Sequence, residues 1–302
     1  MLNAYQETVF QFMLRDALLG LSIYLTLVTG MFSLANAGFL AIGAYISAVL
    51  WKYLGVPLEG ALVIAPLACA LIALPIGLPV LRLKDIYLAI ATIGFGEVVR
   101  IMIINFDKIA QGVTGQPNLV ITNGGAGISG IEKLAQTWQL ILVLAVVAFL
   151  IYRLHRSRFG RAMAAIRQDE RAAATMGINV VYVKVMIFVF SAALAGLAGV
   201  FDAFLARAIK PNDYGFTQAV NILAYAVLGG TSTLFGPIFG AFGLRVLPEA
   251  LRFSQQFRGV LIGVLLLAVI IYLPGGLINP AAWNRLWVRL RGRRSGAVQG
   301  GG

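Results

Sequence analysis

Apolar residues run through this chain in blocks too long for strands and too uniform for helices that face water. Windows of about 20 apolar residues mark helices able to cross a bilayer. Read this way, the predicted membrane helices are 17–33, 36–51, 60–81, 86–104, 137–153, 183–205, 217–229, 235–248 and 259–278. Glycine and proline interrupt several of them, as helices in lipid tolerate. The 217–248 stretch is the most broken, because Gly229, Gly230, Gly236 and Pro237 split it into two short halves. Segment 1–14 can add an interfacial helix. Two polar stretches stand between the blocks. Residues 105–136 are rich in glycine and read as an irregular loop, whereas 154–182 hold charges and alanines and read as helical. The fold class expected is an all-α polytopic membrane protein of about eight to ten transmembrane helices. Residues 1–302 form a single membrane domain ending in a basic tail, 279–302.

Composition supports this reading. Apolar residues make up 60% of the chain and charged residues 12%, against about 45–50% and 25% in soluble domains. The net charge of +12 would suggest nucleic acid in a soluble protein; here basic residues act as topology determinants, and no nucleic-acid partner is expected. Counted by alternate loops, one side carries 14 Lys and Arg, in 82–84, 153–184 and 285–294; the other carries 8, Arg15 among them, while Arg100 and Arg245 lie in spans. The richer side is expected to be cytoplasmic, with the N-terminus outside, the C-terminus inside and an odd number of spans. Segment 1–16, with Glu7, Arg15 and Asp16, does not read as a cleavable signal. A single cysteine, Cys69, allows no internal disulfide, and the one histidine, His155, rules out a histidine metal cluster and disfavours a Ser-His-Asp triad. No catalytic residue, metal or cofactor is expected in the chain.

Several local patterns are weighed against simpler readings. Gly125, Gly127 and Gly130 match a dinucleotide-binding turn, but no crossover unit or ribose-binding acid follows, so the glycines are read as loop-forming. A Walker A pattern is missing, since the chain contains no Gly-Lys pair. Ala192/Gly196 and Ala195/Gly199 are small-xxx-small pairs that favour close helix packing inside the subunit over a pore-lining face or a subunit interface. Gly38–Ala44 and Gly236–Ala241 share a small-residue pattern that hints at an internal repeat. Glu97 and Arg100, three residues apart in an apolar helix, read as an intramembrane pair or as part of a polar path. Asp202 is expected at the interface, and Asn36 and Asn221 as caps or turn residues. Asn36, Glu97, Arg100, Ser191 and Asn221 are the candidates for a translocation path.

The segment Ser157–Asn179 carries the most information. Ala162, Ala165, Ile166, Ala173 and Met176 form a small apolar stripe at helical spacing, flanked by Arg161, Arg167, Glu170 and Arg171. Such a helix can dock in another protein's groove or lie on lipid headgroups, and composition leaves both open. Glu170-x-Ala172-Ala173-x-x-x-Gly177 resembles the cytoplasmic coupling loop of ABC importer permeases. The run Arg156–Gly199, with Leu34–Ala44, Leu81–Ile90, Thr122–Ile131, Val227–Gly230, Gly236–Ala241 and Leu273–Leu277, resembles the branched-chain amino acid permease family, in its LivM-type subunit. Two stretches depart from the family pattern: Thr231-Ser232-Thr233, where a further glycine is common, and Met31–Gly38.

That resemblance implies a permease of a binding-protein-dependent importer for branched-chain amino acids, working by alternating access. It would lie in the bacterial inner membrane among lipid. Its partners would be a second, LivH-like permease, two ABC ATPase subunits that carry the ATP and magnesium, and a periplasmic substrate-binding protein. Gly160, Arg161, Ala165, Arg167, Glu170, Ala172, Ala173 and Gly177 would form the ATPase-coupling surface, with Gly177 as a left-handed helix cap and Glu170 available to a basic residue of the partner. A urea or short-amide permease and an ATP-independent channel are the rival readings.

Overall fold

The computed structural model describes residues 4–250 apart from Lys84 and Pro117, together with Gly263 and Leu267; the side chains of Asp85 and of 247–250 are not described. The expected helix 259–278 and the basic tail 279–302 lie outside the described residues. Within them the chain is overwhelmingly helical: α1 (Ala4–Val28), α2 (Asn36–Leu54), α3 (Leu58–Val80), α4 (Asp85–Thr114), α5 (Thr137–Arg156), α6 (Arg158–Gln168), α7 (Glu170–Thr175), α8 (Val180–Ala206), α9 (Phe216–Gly229) and α10 (Phe235–Ala250). Among the described residues, six helices are long and apolar enough to cross a membrane: α1 to α5 and α8. The chain is a multi-pass membrane protein.

The core is built on α1, α2 and α8. Glycines bring them together. A Cβ on Gly43 of α2 would stand 2.2 Å from the Gly196 carbonyl oxygen of α8, and one on Gly199 would stand 2.3 Å from that of Leu40. Small residues at helical spacing therefore serve packing within the subunit, as expected. On the far side of α8, a Cβ on Gly196 would meet Cys69 Sγ of α3 at 2.5 Å.

Two helices, α1 and α4, extend well beyond the pattern reading. Helix α1 is described from Ala4, so residues 4–14 belong to a continuous helix and not to a separate interfacial one. Hydropathy stops at 17 because of Arg15 and Asp16, yet both are buried; charges neutralised by other helices do not end a helix. Helix α4 runs on to Thr114, which shortens the outer loop to 115–136. Helix α9, of 14 residues, is shorter than the roughly 20 needed to span, and α10 is described from Phe235 to Ala250. They form a hairpin: a Cβ on Gly229 would collide with the Gly236 carbonyl, and one on Gly240 with the Tyr225 carbonyl.

The depth of this hairpin is set by α1. Pro237 lies against Gly20, and Arg245 reaches Asp16, so α10 runs antiparallel to α1. Its start sits about 12 Å short of the Val28 end of α1. Helix α2 starts at a similar depth, with Asn36 bonded to Ser22. The non-helical connection 29–35 thus turns back into the protein, where the Leu34 N–H donates to Thr92 Oγ1 of α4 at 2.9 Å. Irregular backbone survives at membrane depth only where protein groups satisfy it. Both members of the suspected repeat begin a helix at this level; the second is a hairpin, whereas the first packs on α8.

The end opposite α6 is closed by loops. Strands β1 (Ile128–Ser129) and β2 (Ala208–Ile209) pair antiparallel, with Ile128 opposite Ile209. Asp107 of α4 accepts from the backbone N–H groups of Ile121, Thr122 and Gly124 at 2.9, 2.8 and 3.1 Å. Those amides belong to the glycine-rich loop, whose 124–126 portion is a short 3-10 turn.

Candidate functional site

The segment between α5 and α8 is capped at each turn. Ser157 Oγ accepts from the Phe159 and Gly160 N–H groups and starts α6. Asp169 Oδ1 accepts from the Arg171 and Ala172 N–H groups at 2.7 and 3.1 Å and starts α7. Gly177 takes φ +82°, its N–H donating to the Ala174 carbonyl while that of Ile178 donates to Ala173. This paired bonding is a Schellman termination, with glycine at the left-handed position as expected. Asn179 Oδ1 then caps α8 through the Tyr182 N–H.

These caps divide what the pattern suggests is one helical segment into two helices. The division changes which residues face outward. Met163, Ile166 and Ala173 are buried, whereas Arg161, Arg167, Arg171, Ala172 and Met176 are exposed. Ala173 is therefore not part of an open docking face, contrary to the spacing argument, and Ala165 is only half-buried. Met176, on the same apolar stripe by periodicity, is 83% exposed, at the end of α7. Gly160 serves close packing: a Cβ there would stand 2.4 Å from the His155 carbonyl oxygen. Glu170 is not free for a partner, since it forms an ion pair with Lys184 of α8. On the other side, Arg167 packs on Gly30 in the connection after α1.

A polar seam crosses the core. Asn36 Nδ2 donates to Ser22 Oγ at 2.8 Å and to Ser191 Oγ at 3.0 Å, and Ser191 Oγ donates to the Ser22 carbonyl at 2.7 Å. Asn36 is thus an interhelical link among α1, α2 and α8 and not a cap. Asn221 lies in the second turn of α9 and caps nothing either.

Nearer the opposite end lies a buried charge cluster that sequence reasoning missed. Arg15 stands 3.3 Å from Asp16 and 3.2 Å from Asp202, and Arg245 stands 3.4 Å from Asp16. Tyr214 donates to Asp202 at 2.7 Å, and burial beside that carboxylate pushes its phenol well above the ordinary value. Asp202, expected at the interface, is inside the protein, and Arg15 belongs to no loop. The available signal was that both positions interrupt otherwise apolar helices.

Glu97 and Arg100 do pair, at 2.7 Å, with about a third of each side chain exposed. They also reach across the fold: Arg100 donates to Asn212 at 2.8 Å, and Glu97 accepts from the Phe216 N–H at 3.1 Å. Glu97 thus supplies an acceptor to the N-terminus of α9, where the helix dipole favours a carboxylate. Of the sequence-predicted path residues, Glu97 and Arg100 lie here and Asn36 and Ser191 in the seam, while Asn221 is half-buried in α9 and joins neither set of bonds.

Helices α6 and α7 connect the two long apolar helices α5 and α8, in a chain whose sequence matches known transport proteins. Residues 8–270 match the family described as the permease component of the branched-chain amino acid transport system. The chain belongs to this family. The high-affinity branched-chain amino acid transport system permease protein LivM of Escherichia coli (strain K12) is 34% identical over 282 residues, covering 86% of this chain and 66% of that protein. The corresponding LivH of the same organism is 26% identical over 277 residues, covering 83% and 87%. BraD of Pseudomonas aeruginosa is 30% identical over 170 residues, covering 54% and 55%. The chain spans slightly less than two thirds of the LivM it matches. No solved structure matches it.

Proposed function

We propose that this chain is the LivM-type permease subunit of a binding-protein-dependent ABC importer for branched-chain amino acids. On this reading it pairs with a LivH-like permease above two ABC ATPase subunits, which hold ATP and magnesium, and a periplasmic binding protein delivers the cargo. The membrane is the bacterial inner membrane. Segment 154–182 and the tail 279–302 face the cytoplasm, and loop 115–136 faces the periplasm.

The observation that carries this reading is the capped pair α6–α7, tied to α8 by Glu170 and Lys184. A segment held at each turn moves as a unit. Force applied to Arg161, Arg167, Arg171, Ala172 or Met176 passes through the ion pair into α8. That helix carries Ser191 of the polar seam and Asp202 of the charge cluster, so a push at one end reaches both polar regions of the core. The relatives' names support the cargo class.

Lys184→Met cuts this link and leaves the exposed face intact. We expect the ATPases to co-purify and hydrolyse ATP while leucine uptake into proteoliposomes collapses. Met176→Arg is expected to lose co-purification as well. Wild-type uptake in both variants overturns the coupling role. Topology is checked in a Cys69→Ser background: Asn118→Cys should label from outside intact cells, and labelling only after permeabilisation reverses the orientation.

A further inference from the structure

A groove of about 800 Å³ runs along α5 at the end nearest α6. Its floor is Leu25 and Ile151, and its walls include Leu150, Phe190 and Leu194, from α5 and α8. Arg153 and Arg156 line the same groove, with Ser157 beside them. From Val147, which also lines it, to Arg156 is about 14 Å along the helix, close to half of the roughly 30 Å hydrocarbon core. The groove therefore covers the depth of one leaflet, with its cations at the headgroup end.

Among the described residues, no carboxylate neutralises those cations. Both arginines are exposed and make no ion pair among the described residues. Arg156 is held over the Tyr152 ring, 4.7 Å from its centroid, which fixes the guanidinium at the groove without neutralising it. The negative end of the α5 dipole accounts for some basic residues there, but not for an apolar channel leading away from them. One kind of molecule satisfies both halves: an acyl chain in the channel and an anionic phosphodiester on the arginines.

We propose that this groove is a specific binding site for an anionic phospholipid of the leaflet on the α6 side. The headgroup then lies at the α5–α6 junction, against Ser157, whose hydroxyl caps α6. Lipid occupancy is thereby placed at the root of the segment proposed to couple to the ATPases. The binding itself does not depend on that role or on the cargo.

The test is native mass spectrometry of the purified full-length chain, with phosphatidylglycerol and phosphatidylcholine of equal chain length. Each arginine near an anionic headgroup favours it about fivefold, so we expect a preference of about 30-fold for phosphatidylglycerol. Arg153→Gln combined with Arg156→Gln should bring the preference close to one, and Arg153→Lys should keep most of it. Leu150→Trp fills the channel and should weaken retention of both lipids. Glycerol phosphate, which has no acyl chain, should not be retained. Equal retention of the two lipids overturns the proposal, as does an unchanged preference in the double arginine variant. So does tight binding of glycerol phosphate, which would mark a phosphate site without a lipid. If Leu150→Trp fails to insert, the arginine variants still decide. Finally, Leu150→Cys in the Cys69→Ser background should not cross-link to a co-expressed second permease; an efficient cross-link means that protein, and not lipid, covers the groove.

Discussion

Helices α1 and α5 lie side by side, joined at one end by Gln11 and Thr137 and at the other by the rings of Tyr24 and His155. They solve the bilayer problem in opposite ways. Over its most apolar window α1 has a mean hydropathy of 1.3 and is 78% buried; for α5 the values are 2.0 and 17%. The less apolar helix is the more deeply enclosed. In water the order is reversed, since apolar surface is driven inward. In lipid the tails accept apolar side chains as readily as another helix does, and polar groups are the ones that need the protein. Helix α1 accordingly carries Arg15, Asp16 and Ser22 to partners on α2, α8 and α10, while α5 presents Leu142, Val146 and Phe149 outward.

The contrast is most severely tested at Arg15. Removing its charge leaves Asp16 and Asp202 buried with less compensation, at a cost of about 3–5 kcal/mol. Arg15→Met should sharply lower folded yield and thermal stability in detergent; wild-type stability would show that the cluster is not a buried ionic core. Next comes Gly196→Val, which forces a side chain against Cys69. Overpacking costs about 1–3 kcal/mol, and adding Cys69→Ala should restore part of it. Without such rescue the close approach is not the cause. Asn36→Leu removes two interhelical hydrogen bonds, each worth about 0.6–1.7 kcal/mol in membranes, and should lower stability measurably without abolishing insertion.

Smaller effects are expected toward the periphery. Glu97→Gln weakens a pair that is a third exposed, so the loss should stay below about 1 kcal/mol. Because Glu97 also accepts from the Phe216 N–H, which Gln can still serve, Glu97→Ala should be the more damaging of the two. On the outer face of α5, Leu142→Ala should change stability by about 0.5 kcal/mol or less. A loss as large as that of Asn36→Leu would mean that α5 is covered by protein and would erase the comparison.

How much of this is legible depends on distance along the chain. The caps and the Gly177 terminus answer to residues within a few positions, and the small-residue pairs of α8 follow from helical spacing, so both can be read directly. Asp169 is legible as well, since an Asp before Glu-Arg-Ala is a good N-cap, but a continuous alanine-rich pattern conceals it. Asn36 reads as a cap because its partners, Ser22 and Ser191, come from helices the local sequence does not mention. Glu170 reads as free for another subunit because Lys184 lies beyond a turn whose direction the sequence does not state.

By itself, the sequence determined that the chain lies in a membrane, where most of its long helices run, and to which transport family it belongs. Hydropathy, capping and motif spacing are properties of short segments, and each segment states them independently. Only the tertiary structure decided that α9 and α10 pack against each other as a hairpin, that Ala173 faces inward, and that Arg15 meets Asp202 inside the protein. An ionisable residue in an apolar helix is unstable alone and acceptable beside its counter-charge. Which of these applies to Arg15 is set by α8, a helix far along the chain that lies against α1 and brings Asp202 to it.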